Sequence, residues 1–261
     1  MNEGLPFKGF SPEQAEGIKL FISDVDDTIT TDGKLYPETL RSLWRLKRSG
    51  RMVVLLTGGS AGWADAYIRQ WPVDAVIAES GAVLLCYGKD GKIKYSNNPE
   101  IDNDVLRKKA SLLKMASGLT LSSDQYARMF DVAFDKSTLE PSEKRGLLNV
   151  IQSLGGTAFE SSIHINVAFG NYSKQQGVRY FLQKYYDYKE EDVLSQGIYL
   201  GDSLNDETMF SYLPLSVGMH SVEELRPLFK CLPTYITEGY SGEGFTEVVR
   251  AVLAPDPGLA K

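Results

Sequence analysis

The sequence predicts an α/β protein, a doubly wound parallel sheet core into which an α+β domain is inserted. Two observations predict it. Short apolar runs alternate with helical stretches along both flanks of the chain, whereas the middle carries hairpin and antiparallel signals. The runs at 18–23, 52–56, 75–78 and 198–200, with shorter ones at 215–217 and 235–237, read as strands buried on both faces. A helix over 37–49 has Leu40, Leu43, Trp44 and Leu46 for its buried stripe, Arg and Lys between them, and Gly50 as its stop. Further helices are expected at 61–70 and 174–186.

From about 84 to 168 the pattern differs. Asp90-Gly91 stands between two strand-like pieces as a hairpin turn. Amphipathic helices are expected near 104–116 and 141–153, and longer strands near 129–135 and 162–168. The core is therefore assigned to residues 1–83 and 170–261 and the insert to 84–169, with 255–261 as a loose tail. The chain has 261 residues, 43% hydrophobic and 24% charged, an ordinary balance for a globular protein. A net charge of −6 argues against general nucleic-acid binding. Cys86 and Cys231 each lie in an apolar stretch and read as thiols in a reducing compartment. No signal peptide or membrane span is expected, which points to the cytoplasm.

Chemistry concentrates at the ends of the apolar runs, where open α/β sheets bind ligands. Asp24-Val25-Asp26-Asp27-Thr28 follows the first run, with carboxylates two residues apart. Such a pair binds a cation jointly, divides labour as nucleophile and acid, or forms a solvated acidic turn. The second run ends in Thr57-Gly58-Gly59-Ser60, a hydroxyl and free amides at a helix entrance, suited to an anion. The late run ends in Gly201-Asp202-Ser203-Leu204-Asn205-Asp206. Ser173 and Gln176 fit a capping box, which places Lys174 in the first turn of a helix. If Asp24, Asp26, Asp202 and Asp206 converge, repulsion destabilises the cleft unless cations offset it. A divalent ion and Lys174 would offset three of the four charges. All-oxygen ligation favours Mg²⁺, while His164 and His220 provide no zinc spacing.

At these residues the chain resembles the haloacid dehalogenase superfamily of phosphohydrolases. Asp24-Val25-Asp26 is similar to its first motif, Thr57 to its second, Lys174 to its third, and Gly201-Asp202 with Asn205-Asp206 to its fourth. An insert between the second and third motifs resembles the Cof-type, sugar-phosphatase-like subgroup with a large α/β cap over a Rossmann-like core. The resemblance implies that Asp24 attacks phosphorus and forms an aspartyl phosphate, while Asp26 protonates the leaving oxygen and then activates water. It implies that Thr57, Gly58 and Lys174 hold the phosphoryl group. It also implies that Asp24, the Asp26 carbonyl, Asp202 and Asp206 bind Mg²⁺, with Asn205 in support. The substrate would be a small phosphorylated metabolite, such as a sugar phosphate or a phosphoglycolate- or phosphoglycerate-like ester. Asp27 occupies a position where many members carry Gly or Asn, and is expected to point away from the cleft. Gly59 stands where Arg often follows Thr-Gly, which removes one cationic contact.

Other readings stay open. A phosphomutase would use the same aspartyl phosphate, passing the group to a second substrate hydroxyl. Gly201-Asp202-Ser203-Leu204 spells the signature of GDSL serine esterases, but it comes late, and the position three before His220 is Val217. An aspartate phospho-acceptor module would also combine Asp, Thr and Lys, but without so large an insert. In the insert, Ser162-Ile163-His164-Ile165-Asn166-Val167 alternates polar and apolar. Ile163, Ile165 and Val167 are expected to face the insert's own core. Ser162, His164 and Asn166 would then face either solvent or the cleft, with Asp131 and Asp135 alongside. His164 and Asn166 are the specificity candidates.

Overall fold

In the computed structural model, residues 3–161 and 163–253 are described. The strands are β1 (Leu5–Pro6), β2 (Leu20–Ser23), β3 (Met52–Leu56), β4 (Ala75–Ala78), β5 (Val83–Tyr87), β6 (Ile93–Asn97), β7 (Val132–Asp135), β8 (Gly156–Glu160), β9 (His164–Phe169), β10 (Gly197–Gly201), β11 (Ser216–Gly218) and β12 (Tyr235–Ile236). The helices are α1 (Pro12–Gly17), α2 (Pro37–Arg48), α3 (Ala61–Gln70), α4 (Asn103–Met115), α5 (Pro141–Ser153), α6 (Lys174–Tyr186), α7 (Glu190–Gln196), α8 (Glu207–Tyr212), α9 (Ser221–Leu225) and α10 (Ser241–Leu253).

The large sheet runs β1-β12-β11-β10-β2-β3-β4-β5-β6, and its pairs are parallel from β1 through β4. Alternate residues of its central strands feed two cores. Phe21, Val53, Leu55 and Leu200 pack with Leu43 of α2, Ala64 of α3 and Phe245 of α10. Ile22, Val54, Leu56 and Tyr199 pack with Phe181 of α6, Val193 of α7 and Phe210 of α8 on the opposite face. Helices on both faces force each strand to be apolar throughout, as the sequence runs are. Each fully buried side chain of this kind contributes about 1.5–3 kcal/mol.

A smaller sheet, β7-β9-β8, is antiparallel throughout. Val132, Phe134, Ile165, Val167 and Phe169 pack its inner face against Val105 and Leu112 of α4 and Leu147 and Ile151 of α5. We refer to this segment as the cap.

Several expectations change. The Asp90-Gly91 hairpin, assigned above to the insert, joins β5 to β6, and β5 pairs antiparallel with β4 in the large sheet. The expected boundary at 84 thus falls inside a strand of that sheet. The strand expected over 129–135 begins only at Val132, because the amides of Met129, Phe130 and Asp131 donate to the Glu79 carboxylate instead of to a ladder. Ile163, expected inside, is 51% exposed, because β9 starts one residue later. Ile165 and Val167 are buried as expected. Ser162 and the tail at 255–261 lie outside the described residues. Both cysteines are free thiols, Cys86 buried and Cys231 half-buried. Among the described residues no helix is long and apolar enough to cross a membrane.

Candidate active site

β2, β3 and β10 are neighbours, so their carboxyl ends bring Asp24, Thr57 and Asp202 to one edge of the sheet. The Asp24 amide donates to the Leu200 carbonyl at 2.9 Å, which carries the pairing past the strand ends. Asp27 adopts φ 54°, a left-handed conformation that Gly and Asn enter most readily.

Lys174 reaches the same point from α6. The Ser173 half of the expected capping box forms, with its hydroxyl accepting from the Gln176 amide at 3.3 Å. The helix then packs tightly on Gly81. A Cβ at Gly81 would lie 2.2 Å from the Ser173 carbonyl oxygen, and φ there is +106°. Glycine at 81 thus lets the first turn of α6 descend into the cleft. Lys174 Nζ donates to Asp24 Oδ1 at 2.8 Å, Asp206 Oδ1 at 2.6 Å and Asn205 Oδ1 at 3.1 Å.

The Asp206 carboxylate is saturated. Its Oδ1 also accepts from the Tyr199 hydroxyl, and its Oδ2 accepts from the Asp202 and Ser203 amides at 2.9 and 3.1 Å. A Cβ at Gly201 would come within 2.5 Å of this carboxylate, which explains the glycine. Asp202 Oδ1 accepts from the Thr28 hydroxyl at 3.2 Å. Among the described residues Asp24 and Asp202 use only Oδ1 in hydrogen bonds, leaving each Oδ2 for a cation. Carboxylate oxygens of Asp24, Asp202 and Asp206 lie within 4.8 Å of one another. An all-oxygen set of this size fits a small hard divalent ion.

The electrostatics call for such an ion. Burial, opposed by Lys174 and reinforced by Asp206, pushes the Asp24 carboxyl up to about 7. Burial, with Asp206 and Asp24 adding repulsion, raises Asp202 well above the carboxylate range. Asp26 is raised as well, by burial and then by Asp27. Burial opposes the Lys174 ammonium, but Asp206 and Asp24 outweigh it and hold the proton.

The 57–60 loop is held by side chains of the cap segment. The Thr57 hydroxyl accepts from the Gly59 amide at 2.8 Å, which leaves its own proton to donate. The Gly58 carbonyl accepts from Arg128 Nη1 at 2.9 Å and Asn166 Nδ2 at 2.8 Å, both from the cap. The Ser60 amide donates to Asp124 Oδ2 at 3.2 Å. Glu79, fully buried at φ 51°, accepts from the amides of Ala61, Met129, Phe130 and Asp131 at 2.7–3.1 Å. A left-handed non-glycine residue costs about 1–3 kcal/mol, and four amides on one carboxylate offset it.

Asp24, Asp26, Gly58, His164 and Asn166 all line one cleft of about 380 Å³ between the edge of the large sheet and the smaller sheet. The polar face of β9 therefore looks into the cleft and not into bulk solvent. Asp131 is buried against Arg128, and the Asp135 carboxylate is held by Ser137. His220 turns Nδ1 to the Thr237 carbonyl at 3.3 Å and packs on Tyr240, so no Ser–His pair forms at Ser203. Glu79, Asp124 and Arg128 escaped the sequence reading. Glu79 stands at the carboxyl end of β4, and the strand-end rule that picked out Asp24 would have found it.

Comparison with known proteins agrees with this architecture. The family model described as sucrose-6F-phosphate phosphohydrolase matches residues 18–227. A phosphoglycolate phosphatase of Pyrobaculum aerophilum is 26% identical over 240 residues, covering 90% of this chain and 96% of the relative. Another, of Pyrobaculum neutrophilum, is 30% identical over 122 residues, 45% of this chain and half of that relative. The crystal structure of Thermoplasma acidophilum 0175 superposes with a TM-score of 0.69 at 19% identity, covering 90% of this chain and 98% of that one. The C-terminal domain of a C. albicans trehalose-6-phosphate phosphatase gives 0.67 at 14% identity, covering 95% and 99%. With the family model spanning most of the chain, and the Asp, Thr, Lys and Asp motifs brought to one edge of the sheet, the chain belongs to the sucrose-6F-phosphate phosphohydrolase family and is a phosphatase of the haloacid dehalogenase superfamily.

Proposed function

We propose that this phosphatase is a Mg²⁺-dependent phosphomonoester hydrolase that works through an aspartyl phosphate on Asp24 and acts on a small phosphorylated metabolite. The observation that carries the reading is the position of Lys174 Nζ, bridging Asp24 and Asp206 beside the free oxygens of Asp24 and Asp202. Mg²⁺, when bound, neutralises charge on the transferring phosphoryl group and orients it toward Asp24. Asp24, the Asp26 carbonyl and Asp202 would hold it. Asp206, in the same cluster, would complete the acidic set, while its hydrogen bonds position Lys174 and the 202–203 amides.

A carboxylate oxygen of Asp24 attacks phosphorus, and the ester oxygen leaves with a proton from Asp26. Lys174, the Thr57 hydroxyl and the Gly58 amide hold the phosphoryl oxygens, since the Thr57 amide donates to the Ile77 carbonyl and the Gly59 amide to Thr57 Oγ1. Asp26, now ionised, takes a proton from water as that water attacks the phosphorus. Inorganic phosphate departs and Asp24 is regenerated. The raised affinity of Asp26 for protons suits a group that must carry one to the leaving oxygen.

Phosphate release from a panel of phosphorylated metabolites tests the proposal. Activity should require Mg²⁺, vanish on chelation, return on its addition, and be absent in Asp24→Asn. Turnover by the chelated enzyme, or by that variant at the wild-type rate, contradicts it.

A further inference from the structure

Three consecutive residues after β4 hold left-handed backbones: Glu79, Ser80 and Gly81 have φ of 51°, 55° and 106°. Glu79 and Ser80 are strained there, and such a turn persists only where its surroundings over-determine it. Here they do. The Glu79 amide donates to the Gly59 carbonyl at 3.0 Å, and the Ser80 amide to the Thr57 carbonyl at 3.1 Å. The first turn of α6 packs on the same residues. The Ser173 carbonyl crowds Gly81, and a Cβ at Gly177 would lie 2.7 Å from the Gly81 Cα. The loop that carries Thr57 and the helix that carries Lys174 thus rest on one three-residue turn.

The Glu79 side chain extends this contact. Oε1 accepts from the Ala61 and Met129 amides at 3.0 and 2.7 Å, and Oε2 from the Phe130 and Asp131 amides at 2.7 and 3.1 Å. A ring of hydrogen bonds then closes around the 57–60 loop. Glu79 takes the Asp131 amide, the Asp131 carboxylate takes Arg128 Nη1, and Arg128 Nη1 also donates to the Gly58 carbonyl. The Gly59 carbonyl completes the ring by taking the Glu79 amide. The entrance of α3 is filled from within the chain as well. The amide of Ala61, its first residue, goes to Glu79, that of Ser60 to Asp124 Oδ2, and that of Trp63 to the Ser60 hydroxyl. A helix N-terminus ordinarily attracts an anion from outside. Here the chain's own Glu79 and Asp124 carboxylates occupy it.

We propose that Glu79 is a positioning residue for phosphoryl transfer, whose carboxylate and left-handed turn hold Thr57 and Gly58 in register with Lys174. It touches no reacting atom. This rests on the phosphatase reading above, in which those three residues hold the phosphoryl oxygens. Three of the four amides on Glu79 belong to Met129, Phe130 and Asp131, so the segment 128–131 is part of the same device. A group bound at the 57–60 loop must then stiffen 128–131, and the coupling runs equally in both directions.

The experiment compares the wild type with Glu79→Gln, which keeps the side-chain length but sets an NH₂ group against two of the four amides. Well below its Tm, the variant should lose about ten- to hundredfold in kcat on acetyl phosphate while KM changes by less than about threefold, the signature of a displaced phosphoryl site. Inhibition by orthovanadate, which mimics five-coordinate phosphorus, should weaken by a similar factor. Hydrogen exchange of the wild type supplies a second readout. Orthovanadate with Mg²⁺ should slow exchange in peptides covering 57–62 and 128–131 together, and in Glu79→Gln the second peptide should no longer respond. The wild-type arm decides the question where the variant does not fold. Unchanged kcat and vanadate inhibition in folded Glu79→Gln, with or without a lowered Tm, overturns the assignment. So does protection of 57–62 in the wild type without any change at 128–131. Failure of the wild type to hydrolyse acetyl phosphate with Mg²⁺ would instead refute the phosphatase chemistry, so the two failures are distinguishable.

Discussion

Replacing Arg128 by Met removes the guanidinium that ties the cap to the 57–60 loop while preserving most of the side-chain volume. The lost partners are Asp124, Asp131 and the Gly58 carbonyl, all at 2.9–3.1 Å and all around a side chain that is 1% exposed. Two buried carboxylates would be left facing each other. Removing one partner of a buried ion pair costs about 3–5 kcal/mol. For a chain of this size that corresponds to a Tm lowered by roughly 6–20 °C. The loss has a defined pH dependence. Burial, opposed by Arg128, already raises the Asp131 carboxyl to about 7. Without Arg128 it rises further, so the folded variant binds a proton that the unfolded chain releases near the ordinary aspartate value. The variant is then relatively more stable at low pH and loses stability as pH climbs from about 4 through its raised value. Thermal unfolding by circular dichroism at pH 6 and pH 8 should show the larger deficit at pH 8. Arg128→Lys should rescue little, because an ammonium cannot serve two carboxylates and a carbonyl in one plane. Hydrolysis of acetyl phosphate should also slow, since Gly58 is released. A variant with wild-type Tm at both pH values and wild-type turnover would refute the claim that Arg128 holds the 57–60 loop against the smaller sheet's segment.

The two cap candidates should separate kinetically. Asn166→Ala removes a bond to Gly58 and should lower kcat on every substrate, whereas His164→Ala should cost about 1–3 kcal/mol in ΔΔG‡ on the physiological substrate alone. Matching profiles for the two variants across substrates would contradict that division. Metal and protons should compete at the acidic cluster. Because Asp24 binds its proton up to about pH 7, the metal-free protein should lose stability as pH rises from about 4 to 7, and stabilisation by Mg²⁺ should grow over the same range. Calorimetric unfolding with and without Mg²⁺ checks this, and a Mg²⁺ effect independent of pH would count against it. Asp202→Ala should raise the Mg²⁺ concentration for half-maximal rate at least tenfold, and Asp206→Asn less so, read by metal titration of activity.

The parts of this site that the sequence made legible follow local rules. Asp24, Thr57 and Asp202 each end an apolar run, and parallel strands place such ends together. Lys174 was marked by the Ser173 cap one residue before it. What stayed hidden depends on contacts with no spacing. Glu79 and Arg128 bind backbone groups 18–70 positions away, and any sequence could present those amides and carbonyls. The β5–β6 hairpin was placed in the wrong sheet because Val83–Cys86 is buried on both faces and nothing local states its partner. The strand over 129–135 was drawn too long because Glu79 takes the three amides that a ladder would have used.

The most direct measurement is the site of phosphorylation during turnover. Enzyme mixed with Mg²⁺ and a good substrate, quenched in acid within one turnover and digested, should yield a phosphorylated peptide containing Asp24, with hydroxylamine-labile linkage typical of an acyl phosphate. Asp24→Asn should yield none, and Asp26→Asn should accumulate more of it because water is no longer activated. A phosphoryl group found on another residue, or full turnover with no covalent intermediate in wild type or Asp26→Asn, would contradict the account.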